Sequence, residues 1–389
     1  MNYHLMIDDK FINDFIVDAE NISLESTNRY IIRGYSKDLK YVTHPKAEWI
    51  GDIEGAEFKK LLSVITNKDK VFIHWYDLPI AKTLLSIDLD IPLYVPLWGG
   101  EFYEEPLLVN KQWLFDKLTL KYVNKRYLYP RTWARRPDLL LRQLITIYNK
   151  KKKAGKEFEL KRKTIQRINY LLLYPNTNEA DFIRKSYQAN NIVALPFSYN
   201  QNFDLASQIR PQNTLKNQTT IIRIGNSATE TNNHLDIFAA LEKFKNEEIK
   251  VEVPLSYGET DYATEVKNKG FQHFKNKFYP LENFISREEY IQQLNNVDVA
   301  IMFHNRQQAL GNCVALLTLG KKLYLKKNNP LYSLFKKIGV NVFDASIINT
   351  LSYKDFVEPL SQNEVDTNIE ILKRFFSANQ RQAYLKNIL

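Results

Sequence analysis

Residues 298–320 read DVAIMFHNRQQALGNCVALLTLG. The apolar run Val297–Phe303, broken by one Asp, predicts a buried strand. A polar loop follows, carrying Arg306, Gln307, Gln308, Gly311 and Asn312. The apolar run from Cys313 predicts a helix entered straight from that loop. The first turn of a helix holds N–H groups with no intrahelical partner, and its dipole favours an anion there. Arg306 adds a planar, permanently charged donor that can grip phosphate with two bonds. Gly311 lets a ligand approach the backbone. The stretch suits a nucleotide diphosphate; an ordinary strand, loop and solvated cap fits the same letters.

The C-terminal half repeats this rhythm. Strands are predicted at Thr219–Ile224, Ile249–Pro254, Phe271–Lys275, Val297–Phe303, Lys322–Leu325 and Asn341–Phe343. Helices are predicted at His234–Phe244 and at Tyr262–Lys269, the latter stopped by Gly270 as a C-cap, with another opened by the capping box Ser286–Glu289. Strands alternating with helices imply a parallel sheet covered on both faces. The N-terminal half follows suit, with strands at Tyr3–Ile7, Tyr30–Arg33, Val71–His74, Pro92–Leu97, Tyr170–Leu173 and Asn191–Leu195. The expected organisation is an α/β chain of two Rossmann-like domains. Residues 1–200 form the first, interrupted by a basic insertion at 111–168. Residues 201–218 link it to the second, 219–360. Helices in 361–389 are positioned to return to the first domain. The run Lys150–Lys153 with Lys156 is read as a mobile loop, too charged to pack.

In open parallel sheets ligands sit at the carboxyl ends of the strands. After Thr219–Ile224 come Gly225, Asn226 and Ser227, small and hydroxyl groups able to turn sharply and donate to phosphate. Asn232 or Asn233 is a predicted N-cap for the helix starting at His234. Tyr257, after Ile249–Pro254, can pack on a base; a core or surface tyrosine is the plainer reading. In the first domain, Trp98-Gly99-Gly100-Glu101 leaves a strand through paired glycines, with Glu104 beyond. A carboxylate carried by such a loop is a general-base candidate, and a solvated acid is the alternative. Asp9 and Lys10 follow the first strand, and His74 ends another.

The six histidines are scattered singly, so no zinc pattern forms. Asp88-Leu89-Asp90 has the spacing of a cation site but precedes a strand rather than following one. A metal-independent reaction with no cofactor is expected, with Arg306 and backbone N–H groups taking the leaving group's charge.

The 389 residues are 44% apolar, enough for two cores, and the single Cys313 excludes an internal disulfide. No stretch approaches the roughly 20 apolar residues of a spanning helix, and the start lacks a signal-peptide pattern. Residues 111–168 hold 18 Lys+Arg and 4 Asp+Glu, a net of +14, against −4 for the remainder. Trp113, Phe115, Tyr122, Tyr127, Tyr129 and Trp133 interleave with these bases. Such a mixture suits an anionic membrane surface, a solvated helical hairpin or nucleic acid. The expectation taken forward is a cytoplasmic protein, peripheral on the inner face of the cell membrane, with no nucleic-acid partner.

Taken in order, His74 and its strand, Trp98–Glu104, Gly225-Asn226-Ser227 with Asn233-His234, Val253-Pro254 with Tyr257, and Arg306-Gln307-Gln308 with Gly311 resemble glycosyltransferase family 56. The chain departs from that pattern in having Glu101 where the family carries Asp, and in its lysine-rich insertion. The resemblance implies a GT-B architecture, two Rossmann-like domains facing across a cleft. It implies a nucleotide-sugar donor on the C-terminal domain, in dTDP form and carrying Fuc4NAc or a related deoxyamino sugar. It also implies an undecaprenyl-pyrophosphate-linked saccharide acceptor on the N-terminal domain, in surface polysaccharide synthesis, and no catalytic metal. Donor contacts would fall to Gly225, Asn226, Ser227, Asn233, His234, Tyr257, Arg306, Gln307, Gln308, Gly311 and Asn312. Glu101 would be the base, Asp9 and His74 its companions, and Lys10, Trp98, Gly99 and Gly100 acceptor contacts. Another nucleotide-sugar enzyme such as an epimerase, or a basic nucleic-acid-binding protein, are the other readings.

Overall fold

The computed structural model describes the chain except residues 23–27, 35, 87–90, 106–112, 129–136, 176, 200–201 and 212–218. Short runs of branched and aromatic residues make two parallel sheets. The first holds β1 (Asn2–Met6), β2 (Asn28–Arg33), β3 (Ala47–Gly51), β4 (Lys70–Ile73), β5 (Leu93–Pro96), β6 (Tyr170–Leu173) and β7 (Val193–Pro196), in the order β3-β2-β1-β4-β5-β6-β7. The second holds β8 (Thr220–Ile224), β9 (Ile249–Pro254), β10 (Phe278–Leu281), β11 (Val299–Met302), β12 (Lys322–Leu325) and β13 (Phe343–Asp344), in the order β10-β9-β8-β11-β12-β13.

Both orders reverse direction once, between β1 and β4 and between β8 and β11. There the loops leaving neighbouring strands diverge to opposite faces, and the crevice between them is where such sheets bind ligands. Strand periodicity builds each core. Leu5, Ile31, Ile73, Val95 and Leu171 point to one face of the first sheet, and Met6, Tyr30, Ile32, Phe72, Tyr94 and Leu172 to the other. Each such side chain contributes about 1.5–3 kcal/mol when buried.

The chain divides into two compact units. One comprises Met1–Lys111, Leu141–Tyr199 and Ala378–Leu389; the other comprises Gln112–Leu140 and Asn200–Ser377. The basic insertion expected at 111–168 is therefore split. Its helix Lys117–Leu128 packs against the helix His234–Leu241 of the second unit. Lys150–Lys156, expected as a loop, lies within the helix Pro137–Ile165. Of the aromatic residues read there, Tyr129 and Trp133 lie outside the described residues, as do Asp88-Leu89-Asp90 and the linker positions 201 and 212–218. The rest of the expected linker is not all coil: Asn202–Ser207 is a helix packed on the helices Arg287–Leu294 and Leu310–Thr318.

The C-terminal helix Ala378–Lys386 packs on the helix Ile12–Ile22. Leu385 and Ile388 enter the core beside Met6, Ile12 and Phe15. The Lys70 ammonium donates to the carbonyl oxygens of Ile388 and Leu389 at 2.8 and 3.1 Å.

Gly270 does not end a helix. The helix runs Thr260–Phe274, and the strand expected at Phe271–Lys275 is its last turn. A Cβ on Gly270 would lie 2.2 Å from the Phe278 ring, so the glycine serves close packing against β10 rather than a cap. β3 escaped the sequence reading because AEWIG is a short edge strand, only half buried.

Candidate functional site

In the second unit, β8 feeds a tight turn. Gly225 has φ +67°, and a Cβ there would meet Asn232 Oδ1 at 2.5 Å and His234 Nε2 at 2.8 Å. Asn232 is the hub of the turn. Its Oδ1 accepts from the Asn226 N–H at 2.9 Å and pairs with His304 Nε2 at 2.8 Å, while its Nδ2 donates to Thr229 Oγ1 at 2.8 Å and Ser227 Oγ at 3.2 Å. Gly258, at φ +116°, lets the β9 loop lie against this turn; a Cβ there would come within 2.6 Å of the Ala228 backbone.

A side-chain chain joins the three loops. Gln308 Nε2 donates to Asn226 Oδ1 at 3.0 Å, and Asn226 Nδ2 donates to the Tyr257 hydroxyl at 2.8 Å. Thr231 Oγ1 donates to Gln308 Oε1 at 2.7 Å. The Tyr257 ring itself is exposed.

The β11 loop is fixed from below by Asn329, whose Nδ2 donates to the carbonyls of His304 and Arg306, both at 3.1 Å. Arg306 is buried and donates from Nη1 to the Gln307 carbonyl at 2.8 Å. Ala309 takes the left-handed conformation at φ 60° and begins the helix Leu310–Thr318 without a side-chain cap. Gly311 and Asn312 stand in that helix's first turn, where backbone N–H groups gather positive potential. A non-glycine residue in this conformation costs about 1–2 kcal/mol, a strain typical of functional sites.

Two predicted roles change. Asn233 occupies the N-cap position of His234–Leu241 but makes no side-chain cap. Its Nδ2 donates instead to the carbonyls of Leu114, Thr231 and Phe303, and its Oδ1 accepts from the Asp116 N–H. His234 is fully buried, and burial lowers its pKa to about 3, so it is a neutral ring wedged behind Gly225. His304 is likewise held well below its usual value by burial and by Arg306 beside it.

In the first unit, the loops after β1, β4 and β5 emerge side by side. Asp9 is half buried; its Oδ1 accepts from the Phe11 N–H at 3.1 Å, and burial raises its pKa. Asp8 is structural, accepting from the N–H groups of Lys40, Tyr41 and Val42. Lys10 is exposed.

Glu101 is 5% exposed, and its Oε1 accepts from the Trp98 N–H at 2.8 Å. Gly99 makes that turn possible at φ 105°, and Gly100 starts the short helix Gly100–Tyr103 that carries Glu101. The Phe11 and Trp98 rings meet edge to face at 5.8 Å. His74 is fully buried rather than open to a substrate. Its Nε2 pairs with His4 Nδ1 at 3.1 Å, and its Nδ1 pairs with the Tyr199 hydroxyl. Burial lowers the pKa of His4 to about 3 and holds His74 well below its usual value, the neighbouring His4 adding to the effect. Tyr199 packs edge-on to Trp98 at 5.3 Å and lies close enough to Glu101 and Asp9 to feel both charges.

Asp9, His74 and Glu101 are thus brought to three adjacent strand ends, with His74 and Glu101 buried and Asp9 only partly so. Sequence reading missed His4 and Tyr199. The first is buried mid-strand, and the second lies beyond the last strand predicted for the first domain. Asn305, Lys326 and Asn329 were also missed, although Asn305 stands beside Arg306. Among the described residues, no group of three His, Cys, Asp or Glu side chains is placed to hold a metal ion.

The fold matches known structures over its whole length. A UDP-forming α,α-trehalose-phosphate synthase from Burkholderia xenovorans aligns with TM-score 0.62 at 9% identity, covering 100% of this chain and 99% of that one. Sucrose-phosphate synthase from Thermosynechococcus elongatus aligns with TM-score 0.63 at 8% identity, covering 100% and 98%. The N-terminal domain of Candida albicans trehalose-6-phosphate phosphatase aligns with TM-score 0.61 at 10% identity, covering 100% and 95%. At such identities the likeness establishes the fold, which is GT-B. Activity comes from a separate match, over residues 150–388, to the family described as 4-alpha-L-fucosyltransferase, glycosyl transferase group 56. With more than half of its length matched, the chain is a glycosyltransferase and belongs to glycosyl transferase group 56.

Proposed function

We propose that the protein transfers a deoxyamino sugar, Fuc4NAc or a relative, from a dTDP-linked donor to an undecaprenyl-pyrophosphate-linked saccharide during surface polysaccharide synthesis. The donor diphosphate lies on the second unit, against Gly225–Ser227 and the first turn of Leu310–Thr318, with Tyr257 beneath the base. The observation that carries this reading is the meeting of those two loops at the reversal point of the second sheet, one with glycine-forced geometry and the other an uncapped helix start. Arg306, Gln307, Gln308 and Asn312 complete the polar lining. His234 and Asn233 support the loop from behind.

The acceptor hydroxyl lies against the loops after β1 and β5 in the first unit. Asp9 suits the proton-accepting role better than Glu101. It is the more exposed of the two carboxylates, and its raised pKa brings its basicity closer to that of a working base. Glu101 then holds the Trp98 loop, with Gly99 and Gly100 shaping the turn and Lys10 at the rim. No resident metal or cofactor is invoked; helix N–H groups and Arg306 stabilise the departing diphosphate. The lysine-bearing helices Lys117–Leu128 and Pro137–Ile165 meet an anionic membrane surface on the cytoplasmic side. No described helix is long and apolar enough to cross a membrane.

A thermal-shift panel of UDP-, dTDP- and GDP-sugars tests the donor half. A ligand at 100 times its dissociation constant adds about 2.7 kcal/mol, and the dTDP sugars should stand out. For the acceptor half, Asp9→Asn should lower turnover by about 10²-fold or more, whereas Glu101→Gln should chiefly raise the acceptor KM. The reverse pattern would return the base to Glu101.

A further inference from the structure

Asp116 precedes the helix Lys117–Leu128 and reaches the same strand ends as the donor loops. Both its oxygens contact Lys326 Nζ, at 2.5 and 2.7 Å, and Oδ1 also accepts from Asn305 Nδ2 at 3.0 Å. Its N–H donates to Asn233 Oδ1 at 2.8 Å. Asn233, Asn305 and Lys326 follow β8, β11 and β12, which are consecutive in the sheet. Asn305 is the residue before Arg306. Lys326 is only 8% exposed, with its ammonium 4.6 Å from the centre of the Phe303 ring. A cation fixed in this way sits at the edge of the site assigned to the diphosphate.

A carboxylate offers Lys326 and Asn305 the same kind of acceptor oxygens as a phosphate does. The two anions are alternatives for one cation. Asp116 also has the freedom to yield. Its side chain is 24% exposed against 10% for Lys326. The helix behind it keeps a separate anchor, because Asp236 accepts from the N–H groups of Leu118 and Thr119 and from Thr119 Oγ1 at 2.7–2.9 Å. Releasing Asp116 therefore leaves the helix docked.

We propose that Lys326 with Asn305 forms a further phosphate-binding position of the donor site, and that Asp116 is the internal anion which the donor displaces from it. This rests on the donor reading given above. Binding would then carry a competition term set by one residue, and the segment around Asp116 would report whether donor is present.

Calorimetry on the full chain with dTDP, UDP and inorganic pyrophosphate tests it. Asp116→Asn keeps the size and one acceptor oxygen but removes the charge, and should tighten binding about threefold or more. Asp116→Glu keeps the charge and should leave affinity near the parent value. Lys326→Met should weaken binding about tenfold, the scale of one lost charge-assisted bond. The gain from Asp116→Asn should vanish when combined with Lys326→Met. Unchanged or weaker binding by a folded Asp116→Asn, or a Lys326→Met that binds like the parent, would make the pair a plain anchor and overturn the inference. Should Asp116→Asn fail to fold, Asp116→Ser, which also removes the charge, takes its place under the same criteria. If the parent binds none of the three ligands, the donor reading itself fails; if the parent binds and only these responses are missing, this inference alone fails.

Discussion

Gly225→Ala adds one methyl group at the turn on which the donor reading depends. At φ +67° an L-residue is strained, at about 1–2 kcal/mol. The new Cβ would stand 2.5 Å from Asn232 Oδ1 and 2.8 Å from His234 Nε2. Asn232 cannot retreat freely, because that oxygen serves both the Asn226 N–H and His304. Losing one or two of those bonds adds about 1 kcal/mol each. The expected destabilisation is therefore about 2–4 kcal/mol, with nucleoside-diphosphate affinity down at least tenfold as the loop shifts. Urea denaturation followed by circular dichroism reads the first quantity, and calorimetry the second. Gly155→Ala is the control with the opposite sign. It lies in the helix Pro137–Ile165, with nothing within 4 Å of the added Cβ, and should stabilise by about 0.5–1 kcal/mol. A Gly225→Ala protein within about 0.5 kcal/mol of the parent and with unchanged affinity would mean that the turn accepts a side chain and does not shape the nucleotide site.

Arg306→Ala should weaken nucleoside-diphosphate binding about tenfold or more while far-ultraviolet circular dichroism stays unchanged; retained affinity would remove Arg306 from the site. The buried, neutral histidines make the fold acid-sensitive. His4 and His234 have folded pKa values of about 3 against 6.5 unfolded, so below pH 6.5 the unfolded chain binds more protons and stability falls as pH drops, by about 1.4 kcal/mol per unit for each ring. Urea midpoints measured from pH 7.5 to 5 check this, and a flat profile would mean that the rings accept protons while folded. EDTA should leave transfer intact; loss of activity that Mg²⁺ restores would contradict a metal-free departure of the diphosphate. Replacing the exposed Lys152, Lys153 and Lys156 by Gln should reduce sedimentation with anionic vesicles at low salt, and equal partitioning would leave those lysines simply solvated.

Residues 298–320 were legible because an apolar strand, a polar loop and an apolar helix differ in period and composition; β11 falls where that contrast placed it, whereas the helix starts at Leu310, ahead of Cys313, and takes Gly311 and Asn312 from the predicted loop. Gly225 was legible as a turn, but its reason was not, since the atoms excluding a Cβ come from positions 232 and 234. Gly270 misled for the same reason: a glycine that ends a helix and one that admits a ring look alike in one dimension. Lys150–Lys156 misled because charge density argues against burial, whereas a helix needs only one buried stripe. In the first unit, Asp9 and Glu101 were visible as carboxylates leaving strands. The hydrogen bonds among His4, His74 and Tyr199 were not, because pairing across 70 and 125 residues leaves no local mark.

The first unit is discontinuous: Leu385 and Ile388 complete a core begun by Met6 and Ile12, and Lys70 holds the last two carbonyls. This bears on dissection of the protein. A fragment cut near Tyr199 would carry every strand of that sheet yet lack its closing helix. It would expose the face of Ile12–Ile22 and forgo about 1.5–3 kcal/mol for each missing apolar side chain. The portable piece is instead the stretch from Asn200 to Ser377 together with the segment around Asp116 that belongs to it. Chimaeras should therefore graft that interior stretch and leave both ends of the host chain in place.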